Sequence, residues 1–138
     1  MKQHTTNYFN TLITVSEDCK YLQGTIPVDK PGKKTIAGYQ YEQIAGHPFA
    51  YTSDDVLFDV YADRNDIPTG ERKEERSRFF SKGQPCMRTS PLAKTYGWGI
   101  YSNAQGRVKL VDSASDEYRR LLQDDTVKKV PAMRSSRS

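Results

Sequence analysis

Alternating β-forming side chains open the sequence: Phe9, Thr11, Ile13 and Val15 interleave with Tyr8, Asn10, Leu12 and Thr14, which predicts a strand over 8–15. Residues 24–32, punctuated by Pro27 and Pro31 between two glycines, predict an ordered loop. Thr35 then caps a helical pattern carried by Ile36, Tyr39 and Ile44, which Gly46 and Pro48 terminate. Thr52-Ser53-Asp54-Asp55 supplies a capping hydroxyl followed by carboxylates at the positive end of a helix dipole. The helix this predicts, 54–65, turns Val56, Leu57, Val60 and Tyr61 to one side and Asp55, Asp59, Asp63 and Asp66 to the other. A further helix is predicted over 71–82, where Glu74 and Arg78 sit four apart and Gly83 and Pro85 make the stop. Ser90-Pro91 suits a short helical turn with proline at its first position.

The sharpest local prediction is a hairpin over 96–111. A three-residue loop Ala104-Gln105-Gly106 with a left-handed Gly106 sets Asn103 opposite Arg107, Ser102 opposite Val108 and Ile100 opposite Leu110. Trp98, Ile100, Val108 and Leu110 then share one face, and any other loop length splits that apolar set. The opposite face carries Gly97, Gly99, Tyr101, Arg107 and Lys109. Ser113 or Ser115 caps a last helix with Asp116 and Glu117 in its first turn and Tyr118, Leu121 and Leu122 as its apolar stripe. Residues 127–138, rich in Lys, Arg and Ser, read as a basic tail with little to pack, the composition of a disordered end. Together these elements predict an α+β fold: one globular domain over 1–126, built on a small antiparallel sheet with three or four helices packed to one side.

Length agrees with this, since 138 residues make one domain and leave no room for a second core. The amino terminus has no apolar run, so no signal peptide is expected, and no segment approaches the length of a membrane span. Cys19 and Cys86 match neither a disulfide framework nor a zinc site, which points to a reducing cytoplasm. Charge changes the picture more. Residues 1–70 hold six Lys/Arg against nine Asp/Glu, whereas 71–138 hold fifteen against eight, and from Arg76 to Lys109 seven bases run without an acid.

That acid-free run carries the leading functional expectation. Lys82, Arg88, Lys94, Arg107 and Lys109, interleaved with Trp98 and Tyr101, offer cations for phosphates and rings for bases, as binding of nucleic acid or a phosphorylated metabolite requires. Gly97 and Gly99 would leave a flat patch beside Tyr101 for a planar ligand. The plainer alternative is that the run pairs with the acidic helix of the same chain, with Trp98 in the core. A second expectation is a cysteine-dependent hydrolase or transferase, with Cys86 as nucleophile and His47 as base. A third is an interaction module whose acidic and basic halves meet in a dimer. Asp55 and Asp59, one turn apart, could share a magnesium ion, but the solvated polar face of an amphipathic helix explains them fully. No phosphate-binding loop, dinucleotide fingerprint, HExxH or paired CxxC occurs, so no cofactor is expected.

Two blocks, 51–58 (YTSDDVLF) and 79–101 (FFSKGQPCMRTSPLAKTYGWGIY), resemble a family of small, mostly bacterial proteins classed as a domain of unknown function. The resemblance runs from Asn7 to the 132–134 segment. It implies a free-standing single-domain cytoplasmic protein and assigns no role to any residue.

Overall fold

The computed structural model describes residues 3–134. Four strands, β1 (Thr11–Thr14), β2 (Trp98–Ser102), β3 (Val108–Asp112) and β4 (Lys128–Pro131), form one sheet in the order β3-β2-β1-β4. Around it lie α1 (Ile36–Ala45), α2 (Ser53–Arg64), α3 (Arg72–Phe79), the single turn α4 (Pro91–Lys94) and α5 (Asp116–Gln123). The fold is α+β, as the sequence predicts.

The hairpin has the predicted register, with Ile100 opposite Leu110 and Ser102 opposite Val108. Gly106 closes it at φ +78°, a left-handed conformation that glycine adopts without Cβ strain. The helix starts are equally local: Thr35, Thr52, Ser90 and Ser115 each accept a first-turn N–H, and Asp55 completes a capping box by accepting from the Thr52 N–H.

Four expectations need correction. The first strand begins at Thr11 because Asn10 adopts φ +48°, which breaks the extended run and leaves Phe9 exposed. The sheet is mixed, because β4 lies parallel to β1, Thr11 beside Lys128 and Ile13 beside Val130. So the basic tail expected from residue 127 is in its first part an edge strand, flanked by buried Val127 and Ala132; residues 135–138 lie outside the described residues. Helices also cover both faces of the sheet. Ile13, Ile100, Val108 and Leu110 pack against Ile44 of α1, Val56 and Val60 of α2 and Leu92 of α4. On the other face Leu12 and Val111 pack under Tyr118 of α5 and Val127. Leu12 and Ile13 are adjacent and both fully buried, which requires a two-sided sheet.

A third apolar cluster, Phe58 and Ala62 of α2 with Phe80, anchors α3 beside α2. Between them Arg76 pairs with Asp55 at 2.8 Å and Arg72 with Asp63 at 3.0 Å. The acidic and basic halves of the sequence thus meet within one chain. Cys19 and Cys86 are both free thiols. No helix among the described residues is long and apolar enough to cross a membrane.

Candidate functional site

The basic segment does not act as one surface. Arg88 donates from Nε to the Pro131 carbonyl at 2.6 Å, and its own carbonyl accepts the Met133 N–H, so it fastens the carboxy-terminal strand. Lys109 is held by both carboxylate oxygens of Glu117 on α5, at 2.8 and 3.0 Å. Trp98 packs on the main core, and its indole N–H donates to the Thr25 carbonyl. Tyr101 lies half-buried on the opposite face, edge-on to Phe49. Lys94 is half-buried on α4. Of the five cations, Lys82 and Arg107 are exposed, and among the described residues neither side chain has a hydrogen-bond or ion-pair partner.

The flat patch at Gly97 and Gly99 is already covered. A Cβ on Gly99 would sit 2.7 Å from the Tyr118 ring, so the planar group against this backbone is the chain's own tyrosine. Gly97 is closed by the main chain of Gln23. A sequence pattern cannot distinguish an open glycine face from one that a ring twenty residues away has filled.

Cys86 and His47 have different neighbours. The Cys86 thiol lies 3.3 Å from the Tyr8 hydroxyl, whose pKa is pushed up to about 12 by burial first and by the adjacent thiol next. His47 follows α1, exposed, with Nδ1 3.0 Å from the Gln43 carbonyl and its ring edge-on to Tyr51. Of the aspartate row, Asp55 is occupied by its capping box and by Arg76. Burial alone would raise its carboxyl, but the Thr52 N–H and the Arg76 guanidinium hold it below the usual range. Asp66 has left the helix, at φ +51°. Among the described residues no three His, Cys, Asp or Glu are grouped to hold a metal ion.

Asp59 faces a polar cleft of about 330 Å³ between α1 and α2, with Gln43, Tyr39 and Tyr51 around it. It accepts from Gln43 Nε2 at 2.7 Å. Burial pushes its carboxyl up, the Gln43 bond opposes this, and neighbouring Asp55 and Asp63 add to the rise. A carboxyl raised in the folded state stabilises fully below its unfolded pKa of about 3.9, and that contribution is lost as pH climbs through the folded value. Asp59→Asn keeps the oxygen that accepts from Gln43 and removes the charge. It should therefore be the more stable protein at pH 7, by less than about 1 kcal/mol because the cleft is open to solvent, and should lose that advantage below pH ~4. Urea midpoints of both proteins at the two pH values check this, and a variant less stable than its parent at pH 7 contradicts it.

A further hollow lies at the end of α3. Phe79 is the last residue of that helix, and its ring packs 4.8 Å from Tyr61 and 5.8 Å from Phe58. The chain then turns: Gln84 reaches back to donate from Nε2 to the Phe79 carbonyl at 2.8 Å, and Pro85 fixes the exit. The cleft this leaves, about 420 Å³, has Tyr61 and Phe79 as its rings, Gln84 at the turn, and Arg78 and Lys82 as its cations. Arg78 is already paired with Glu75, so Lys82 is the cation available to a ligand. Charge run and aromatic content singled out Lys82 in the sequence. Tyr61, from the previous helix, carried no such signal.

A family model described as a family of unknown function (DUF6157) matches residues 3–138. Neither the curated proteins nor the solved structures contain a match to this chain.

Proposed function

The chain belongs to this family of unknown function, and from its cleft we propose that it is a non-catalytic binding protein for a small anionic ligand. The observation that carries this reading is Lys82: an exposed ammonium without a partner among the described residues, on the rim of a 420 Å³ cleft beside the rings of Tyr61 and Phe79. A cation next to exposed ring surface suits a phosphate or carboxylate attached to a planar group. The cleft's volume falls within the range of roughly 300–1,000 Å³ usual for small-molecule sites. Arg88 and Lys109 are occupied inside the protein, which favours a compact phosphorylated metabolite over a long nucleic-acid strand. Two free thiols suit a reducing compartment such as the cytoplasm.

The test is a titration with phenyl phosphate and a nucleoside monophosphate, with a labelled single-stranded oligonucleotide alongside. Binding should weaken as salt rises and fall about tenfold or more in Lys82→Glu, since one charge-assisted hydrogen bond of roughly 1.5–3 kcal/mol is lost. Unchanged affinity in Lys82→Glu would overturn the reading. An oligonucleotide whose log affinity falls by several units per log unit of salt would instead mean several phosphate contacts, at about 0.7 each.

A further inference from the structure

Phe79 and Gln84 have a second hollow beside them, bounded by α1 and α2 and about 250 Å³ in volume. Its walls are Ile36, Leu57, Phe79, Pro85 and Pro91, and no charged residue lines it. Its polar lining is Gln40, Gln84, Thr89 and Ser90, of which Gln40 and Ser90 are buried. Gln40 on α1 is only 3% exposed, yet it lines the hollow. Its orientation is set by Ser90. The Ser90 hydroxyl accepts the Leu92 N–H as the cap of α4 and donates its own proton to Gln40 Oε1 at 2.5 Å. The carboxamide oxygen is therefore occupied, and the nitrogen is the free end. Among the described residues the Gln40 amide nitrogen has no protein acceptor, and it is not one of the fully enclosed unpaired atoms, so it opens onto the hollow.

An amide whose N–H groups open onto a hollow with apolar walls is placed to donate to an acceptor that enters it. We propose that this hollow is a binding site for an uncharged, mainly apolar group carrying one oxygen acceptor, a ketone, ester or amide carbonyl, which receives the Gln40 N–H. The absence of any lining charge argues against an ion, since a charge moved here would have no counter-charge. The inference rests on this hollow alone and stands or falls separately from the anion reading.

Gln40's side-chain NH₂ resonances provide a direct readout. The full-length, ¹⁵N-labelled protein is titrated with cyclohexanone and acetophenone, and in parallel with methylcyclohexane and ethylbenzene, which match them in shape and lack the acceptor. The carbonyl probes should shift the Gln40 amide pair saturably, and the hydrocarbons should bind about tenfold more weakly or worse, the effect of leaving a buried donor unmatched. Gln40→Leu deprives Ser90 of its acceptor and can fail to fold. Leu57→Trp fills the hollow from a half-buried wall position instead, leaves the Gln40–Ser90 pair intact, and should abolish the shifts. The proposal is overturned if neither carbonyl probe moves the Gln40 pair up to its solubility limit, if ketone and hydrocarbon bind equally, or if Leu57→Trp binds as the parent does. Lys82→Glu separates the two sites: it should leave the ketone titration unchanged while weakening phenyl phosphate.

Discussion

Gly97→Ala should destabilise the protein by roughly 2–5 kcal/mol, much of the ~5–15 kcal/mol that holds a domain of this kind folded. Two independent effects add at this position. Gly97 has φ +78°, where an L-residue is strained by about 1–2 kcal/mol. Its new Cβ would also fall on the main chain of Gln23, 2.6 Å from the carbonyl carbon and 3.2 Å from the Gly24 nitrogen. Main chain cannot rotate aside as a side chain can, so the 23–24 segment must move. That segment is tied down, because Gly24 donates its N–H to Asp112 Oδ1 at 2.8 Å and packs directly on the Trp98 ring. Displacing it disturbs the hairpin and the core together, which adds an overpacking cost of about 1–3 kcal/mol. Trp98 is the sole tryptophan, so its fluorescence in a urea titration reports the unfolding midpoint from the affected site itself. Gly32→Ala separates the two effects: Gly32 has φ +73° with nothing within 4 Å of a Cβ, and should show the conformational cost of about 1–2 kcal/mol alone. Equal losses in the two variants would mean that the contact with Gln23 contributes nothing.

The same glycine illustrates how far the sequence can be read. The 96–111 hairpin was legible to the register because alternation and the left-handed Gly106 are both local signals. The caps at Thr35, Thr52 and Ser90 were legible for the same reason. β4 was not, because Lys128-Lys129-Val130-Pro131 is a short edge strand with a single partner, and its charge and proline are what edge strands carry against further pairing. Nor could Gly99 be assigned, since the ring that covers it comes from Tyr118 on another element. The candidate sites follow this division. Charge along the chain singled out Lys82. Gln40 and Ser90 are fifty residues apart, and only packing α1 against α4 makes them a fixed pair with one free amide end. The tripartite wall of Ile36, Leu57 and Pro91 likewise exists only after the helices have packed.

Asp54→Ala should cost about 2–4 kcal/mol and release the amino-terminal segment before the rest of the domain unfolds. Asp54 occupies the first turn of α2, where a carboxylate is favoured by the helix dipole, and it is nearly buried. Its Oδ1 accepts both the N–H and the hydroxyl of Thr6, and its Oδ2 accepts the Thr5 hydroxyl, each at 2.7 Å. Alanine removes all three bonds and leaves the buried Thr6 N–H without an acceptor. The segment's other attachments are single contacts: Gln3 Nε2 to the Ser77 carbonyl, His4 N–H to the Phe80 carbonyl, the Asn7 side-chain oxygen accepting the Asp54 N–H, and Tyr8 against the core. Tyr8 is what connects this loss to chemistry, because its hydroxyl sits against the half-buried Cys86 thiol. Once the segment opens, the thiol loses that neighbour and meets solvent. Alkylation of Cys86 in native buffer should accelerate at least about tenfold, as expected when a local opening becomes easier. Cys19, which bonds to the Tyr21 carbonyl well outside the released segment, should react at its parent rate and serves as the internal reference. Faster reaction at both thiols would indicate global unfolding, and unchanged reaction at both would show that Asp54 does not hold the segment. A selective rise at Cys86 would show that the tyrosine laid over this thiol shields it in the folded protein.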